Sequence, residues 1–150
     1  MITDSLNTFA KAVALNTGAP GSYLVGDVID TRDVRDLGQG NPLYLVIQVN
    51  TAATSGGAAT ASFSLASDAQ AAIATDGSAS VHLTSPVFAK TAMTAGKSIL
   101  VATLPREGVA YERYLGILQT TAVAAFTAGK IDAFLTIDPA GWKAYADGTN

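Results

Sequence analysis

Few residues of this sequence could carry out acid–base or nucleophilic chemistry. There is one histidine, His82, and no cysteine among the 150 residues. The lack of cysteine excludes thiol nucleophiles, cysteine-ligated zinc and iron–sulfur clusters. His82 lies between Val81 and Leu83 in an alternating segment, which favours a strand residue pointing away from its apolar neighbours. Since neither a nucleophile-elbow serine nor a recognisable acid accompanies it, the sequence predicts no catalytic triad.

A pair of carboxylates, Glu107 and Glu112, flanks an evident turn at residues 108–111. Paired carboxylates catalyse glycoside hydrolysis, but they need a cleft and an aromatic sugar platform around them. The neighbouring sequence supplies neither, so we expect no catalysis by this pair. A hydrolase would require both groups to share a cleft that perturbs their pKa values.

Gly96-Lys97-Ser98 imitates the end of a phosphate-binding P-loop. The motif needs a further glycine five residues before Gly96, where this sequence has Thr91. It also needs a helix after the lysine, because the amides of a helix N-terminus bind the phosphate. A strand-like run follows instead, so we predict no nucleotide, no other cofactor and no metal site.

Four aspartates recur at every third position from Asp27 to Asp36, with Arg32 and Arg35 between them. This spacing does not fit a calcium loop, which places its ligands at alternate positions. On a helix, each step of three would move the acid by about 60° around the axis, so the four would not share a face. Two interpretations stay open: a solvated strand end with local ion pairs, or a charged contact in which Arg32 or Arg35 binds a partner's carboxylates.

Most of the chain carries the alternation and turn residues typical of short strands. In residues 61–65, for example, Phe63 and Leu65 share one face and the serines share the other. Thr-Ala-Gly-Lys precedes a strand twice, at 94–97 and 127–130, which predicts two equivalent turns at one end of a sandwich. We therefore predict an all-β, jelly-roll-like β-sandwich of about eight strands in a single domain over residues 23–138. The predicted strands are 23–29, 42–49, 61–65, 80–83, 87–89, 98–104, 113–120 and 130–137.

The two ends of the chain lie outside this pattern. Residues 1–22 are predicted to form an N-terminal arm, extended or a short helix, because apolar residues follow Asp4 at helical spacing. Asp68 could likewise begin a short helix over 69–74. Residues 139–150 form a predicted C-terminal tail whose aromatic pair either folds back or anchors in another subunit. The predicted partner contacts are Ile2, Leu6, Phe9, Arg32, Arg35, Trp142 and Tyr145.

The composition limits the possible partners. Charged residues make up 14% of the chain, against about 25% in an ordinary soluble domain. Basic residues are scattered, which argues against nucleic acid, and no apolar run approaches the roughly 20 residues of a membrane span. An acid stands where a signal peptide carries its positive charge, so we expect synthesis in the cytoplasm and a soluble protein. The low charge fits a subunit that packs against others, and equally a soluble domain with a neutral surface.

A family resemblance covers most of the chain. It begins at Met1-Ile2-Thr3-Asp4 and continues through Val28-Ile29-Asp30, the run from Arg32 to Gly40, and Pro42-Leu43-Tyr44-Leu45. Residues 62–68, Glu112-Arg113-Tyr114-Leu115-Gly116, and residues 126–138 follow in order. Together these segments resemble the capsid cement proteins of the Bordetella-phage type, the Bbp16-like family.

The resemblance implies a specific structural role. It implies a jelly-roll subunit that forms a dimer or trimer and binds the outer surface of a virion capsid built from HK97-fold major capsid protein. It brings no catalytic, cofactor or metal residues to this chain. The tail beyond Asp138 is longer than the family pattern, so the resemblance assigns it no role.

Two other function classes remain as alternatives. A carbohydrate- or receptor-binding module of a phage tail or fibre could use the same fold. It would need an exposed aromatic platform, for which the candidates are Tyr23, Tyr111, Trp142 and Tyr145. The hydrolase discussed above is the third class.

Overall fold

The structure is a computed structural model that describes residues 5–32 and 42–139. Among the predicted partner contacts, Ile2, Arg35, Trp142 and Tyr145 lie outside the described residues. So do Asp33 and Asp36 of the aspartate series. Leu6, Phe9 and Arg32 lie within them.

The described residues form nine strands and two short 3-10 turns, at Ser5–Asn7 and Lys90–Ala92. Each of the eight predicted strands corresponds to a strand of the structure, and one further strand, β1, precedes them. The strands are β1 (Thr8–Ala14), β2 (Gly21–Asp30), β3 (Tyr44–Thr54), β4 (Thr60–Asp68), β5 (Ser80–Thr84), β6 (Phe88–Ala89), β7 (Ser98–Thr103), β8 (Tyr114–Ala122) and β9 (Ala128–Thr136).

The strands build two antiparallel sheets, in the orders β1-β9-β3-β7 and β2-β8-β4-β5, with β6 paired to β4. The first strand pairs with the last, β2 with β8, and β3 with β7. This is the pairing of one long hairpin rolled into two layers, which is the arrangement of a jelly roll. The prediction of an all-β sandwich is confirmed.

The core lies between the two sheets and follows the alternation of the strands. Phe63 and Leu65 of β4 and Leu45 and Ile47 of β3 are fully buried and belong to one apolar cluster. Burying a side chain of this size contributes roughly 1.5–3 kcal/mol, so the facing strands hold the sheets together.

The prediction of an arm over residues 1–22 is wrong for its described part. Residues 8–14 are a strand of the sandwich, and Phe9, predicted to contact a partner, is 0% exposed in the core. The pairing of β1 with β9 shifts register between Thr8 and Ala10 and again between Ala10 and Val13. These irregularities break the period of two, and the apolar residues then fall at spacings that resemble a helix.

Two local predictions need a similar correction. Residues 69–74 do not form a helix: 69–72 are bends, and the Asp68 carboxylate accepts the N–H groups of Gln70 and Ala74 at 3.2 and 3.0 Å. The two Thr-Ala-Gly-Lys segments lie at the same end of one sheet, but they are not equivalent. Gly96 (φ 80°) lies in a turn before β7, whereas Gly129 (φ 138°) lies inside β9.

Candidate functional site: polar clusters and an interaction surface

A polar cluster forms around His82 at the end of the sandwich where β4 ends and β5 begins. Nε2 of His82, on β5, lies 2.7 Å from Oγ of Ser67, on β4. The backbone N–H of Glu112 donates to the same Oγ at 3.0 Å, and Oγ of Ser80 donates to the Glu112 carboxylate at 2.9 Å. The ring of Tyr111 stacks on His82 with 3.9 Å between centroids. The pairing of β4 with β5, and the connection that leads into β8, therefore bring together a serine, a histidine and an acid that the sequence separates.

This cluster has the residue types of a nucleophilic site but not its accessibility. Burial lowers the pKa of His82, although the charge of Glu112 opposes the shift. A neutral imidazole can accept a hydrogen bond from the Ser67 hydroxyl through Nε2. Ser67 is 0% exposed, and its oxygen already accepts the Glu112 N–H. A nucleophile must reach its substrate, so this hydroxyl is suited to joining strands and not to attack.

The two glutamates considered for glycosidase chemistry have different surroundings. Glu107 is exposed and lines an open depression with Pro42, Leu104 and Arg106. Glu112 is not among the residues that line it; its carboxylate binds Ser80 instead. The depression therefore presents one glutamate of the pair and not both.

The other candidate chemical motifs also have structural roles. Gly96 donates its N–H to Val49, Lys97 donates its N–H to Thr94, and a strand follows, so the helix that a P-loop requires is not there. Over residues 5–32 and 42–139, no group of three or more His, Asp or Glu side chains could hold a metal ion. Tyr23 and Tyr111, two of the four platform candidates, lie at opposite ends of the sandwich, near Ala19 and Pro105.

Leu6 and Arg32 are brought together on the surface. Both line an open depression of about 720 Å³ between the first 3-10 turn and the end of β2. Leu6 is 77% exposed, and Arg32 has a positive φ of 63° with its N–H donated to Asp30 at 2.8 Å. Of the three predicted contacts that are described, these two share a surface, and Phe9 lies in the core.

Asp30 and Arg113 form an ion pair beside this depression. Nε and Nη2 of Arg113 each donate to one Asp30 oxygen at 2.9 Å, and the guanidinium lies 4.9 Å from the Tyr114 ring centre. The Arg113 hydrogen bonds, and then the Arg32 N–H, lower the pKa of Asp30 to about 2. Sequence reasoning sought the partner of Asp30 among nearby arginines and missed Arg113, which becomes its neighbour through the pairing of Asp30 with Tyr114.

Comparison with known proteins adds one finding to this geometry. A protein-family model described as Bbp16 matches residues 9–135, which run from β1 through nearly all of β9. No curated protein matches the chain. Within the described part of the chain, no helix is long and apolar enough to cross a membrane.

Proposed function

The chain belongs to the phage-related Bbp16 family and is thereby indicated to be a phage structural protein, and we propose that it acts as a capsid cement subunit. In this role it binds the outer surface of a tailed-phage capsid and holds neighbouring HK97-fold major capsid proteins together. The observation that carries the proposal is the family membership across the whole sandwich.

The physical demands of a capsid shell support this role. A shell filled with packaged DNA is under pressure, so contacts that bridge neighbouring subunits oppose its rupture. Many copies of a small subunit act together, and modest contacts per copy accumulate through multivalency. A symmetric oligomer would offer the shell two or three equivalent contacts at once.

The surface of the subunit fits protein-to-protein packing. A charged fraction of 14% means that few charges lose their water when the surface is covered. Asp30 and Arg113 neutralise each other in a partly exposed ion pair with an N···O distance of 2.9 Å. Exposed apolar side chains occur at several places, namely Leu6, Val81, Val87, Val101, Val109, Val123 and Ile137.

Rebinding to capsids tests the proposal directly. Expanded capsids stripped of this protein are mixed with the purified subunit, and we expect stoichiometric rebinding and a higher capsid melting temperature. Unexpanded procapsids serve as the control and should bind less. No binding to expanded capsids, or binding to procapsids alone, would contradict the cement role.

The tail offers a second test of the same role. Truncation after Asp138, or Trp142→Ala, is expected to weaken capsid or oligomer binding more than it lowers the unfolding midpoint of the free subunit. Equal losses in both measurements would mean that the tail serves only the subunit's own fold.

A further inference from the structure

The connection between β8 and β9 contains a strained turn centred on Val123. Val123 has a φ of 69°, and the N–H of Ala124 donates to the carbonyl of Ala122 at 2.8 Å. A bond between residues two apart with a positive φ at the centre is a γ-turn of the rare, strained kind. A β-branched residue is especially unfavourable there, because its side chain crowds the backbone at positive φ.

The neighbouring loop holds this turn in place. Oγ of Ser55 donates to the carbonyl of Ala125 at 2.6 Å, and the N–H of Thr127 donates to Thr54 at 2.8 Å. Phe126 is buried in the core, directly after the turn. Strain of this kind persists only where the surroundings determine the backbone, and these contacts do so.

Burial of the Val123 side chain within the subunit does not compensate for the energy of this strain. The side chain is 72% exposed, whereas glycine would adopt the same φ without crowding. The turn therefore presents an apolar side chain to solvent in a fixed position. A fixed side chain loses little conformational freedom when it binds, which is the property of an interface anchor.

The charges around Val123 indicate what it would bind. We define the lysine end as the four connections 15–20, 55–59, 85–97 and 123–127; it carries Lys90 and Lys97 and no carboxylate. Nζ of Lys90 donates to the carbonyl of Ser55, in the loop that holds the turn. Most of the described acids lie at the opposite end, which we call the acid-rich end: Asp30, Asp68, Asp76, Glu107, Glu112 and Asp138. The other two, Asp27 and Asp132, lie within β2 and β9.

We infer that Val123 inserts into an apolar recess, rimmed by carboxylates, on the capsid shell protein. A rim of carboxylates complements the lysine end. Two copies meeting through this end would bring lysines together with no acid to neutralise them, so a different protein is the favoured partner. This inference rests on the proposed function and adds the location of the contact.

The test compares Val123→Gly with the wild type on stripped expanded capsids. Because glycine relieves the strain, the urea midpoint of the free variant should equal or exceed that of the wild type. Because the anchor is lost, capsid affinity should fall about tenfold or more, the effect expected from unburying a valine. Val123→Asn, which also tolerates positive φ, repeats the measurement without the added freedom of glycine. Val109→Gly, an exposed valine at the opposite end, is the matched control and should bind like the wild type.

The outcomes separate the two proposals. If the wild type does not bind capsids, the cement function fails. If the wild type binds and both Val123 variants bind equally well, the anchor is overturned and the cement function stands. If Val123→Gly changes the oligomeric state of the free protein, measured as its native mass in solution, then Val123 is a contact between copies. That result would also overturn this inference.

Discussion

His82 lies flat against Tyr111, with their ring centres 3.9 Å apart and their planes inclined by 20°. This stack joins β5 to the connection between β7 and β8, because Tyr111 also donates its hydroxyl to the Pro105 carbonyl at 2.9 Å. The hydrogen bond between Ser67 and His82 adds β4 to the same contact. The pair therefore closes the acid-rich end of the sandwich, and the burial of the histidine there lowers its pKa and so favours its neutral form.

The stability of the protein is expected to fall as the pH drops below about 6.5, because the pKa of folded His82 is lowered from 6.5 by burial. The folded state then binds fewer protons than the unfolded state. The stabilisation is fully present above the unfolded pKa and is lost as the pH falls through the folded one. His82→Gln, which keeps an acceptor for Ser67, should lose less of its urea midpoint between about pH 7.5 and about pH 5 than the wild type. An identical loss in both proteins would assign the pH dependence to other groups.

The alternation of apolar and polar residues, together with the turn-forming residues between the strands, was sufficient to predict most of the fold. The segment around Phe63 alternates cleanly because β4 is paired without interruption to β8, so its two faces were predictable. β1 was not predictable in this way. β1 has register shifts and a positive φ of 51° at Ala12. Its buried residues therefore do not follow the alternation of a regular strand, and the sequence pattern does not identify them.

The polar contacts were less predictable than the strands, because register decides them. Ser67 and His82 meet across the β4–β5 pair, and Asp30 meets Arg113 across the β2–β8 pair, 83 positions away. Sequence alternation assigns a face to each residue but does not say which residue lies opposite. Nor does it reveal the positive φ of Val123, since a valine is the type least expected there.

The ion pair of Asp30 and Arg113 predicts a second pH effect, at lower pH. The pKa of Asp30 is about 2 in the folded state against 3.8 ordinarily, so its stabilisation is present above about pH 4 and lost as the pH falls through about 2. Asp30→Asn removes this contribution, so the free energy of unfolding of the variant should fall less than that of the wild type between about pH 4 and about pH 2. Glu107→Gln, which changes an exposed carboxyl on another loop, is the matched control. Equal acid sensitivity of Asp30→Asn and wild type in urea unfolding would contradict the assignment.

Phe9 and Leu6 should respond in opposite ways to truncation, although both lie near the start of the chain. Phe9→Ala removes a fully buried ring from the core and is expected to cost about 3–5 kcal/mol of unfolding free energy. Leu6→Ala changes a side chain that is 77% exposed and should alter stability by no more than about 0.5 kcal/mol. Chemical denaturation of the two variants measures the difference. A mild effect of Phe9→Ala would mean that β1 is an accessory arm after all.

A single methyl group added at Gly26 should be strongly destabilising. Gly26 has a φ of 79°, and a Cβ there would collide with the backbone carbonyl of Phe9, on the neighbouring strand β1. Gly77 has a φ of 96° but open space around its Cβ position, so Gly77→Ala isolates the cost of backbone strain, about 1–3 kcal/mol. Gly26→Ala should add an overpacking cost of similar size and exceed the control by about 1–3 kcal/mol in urea unfolding.

Since β1 must move to accommodate the methyl group at position 26, amide hydrogen exchange in β1 should accelerate in Gly26→Ala and stay unchanged in Gly77→Ala. Equal costs for the two variants would mean that β1 yields freely, which is incompatible with the close packing of Phe9.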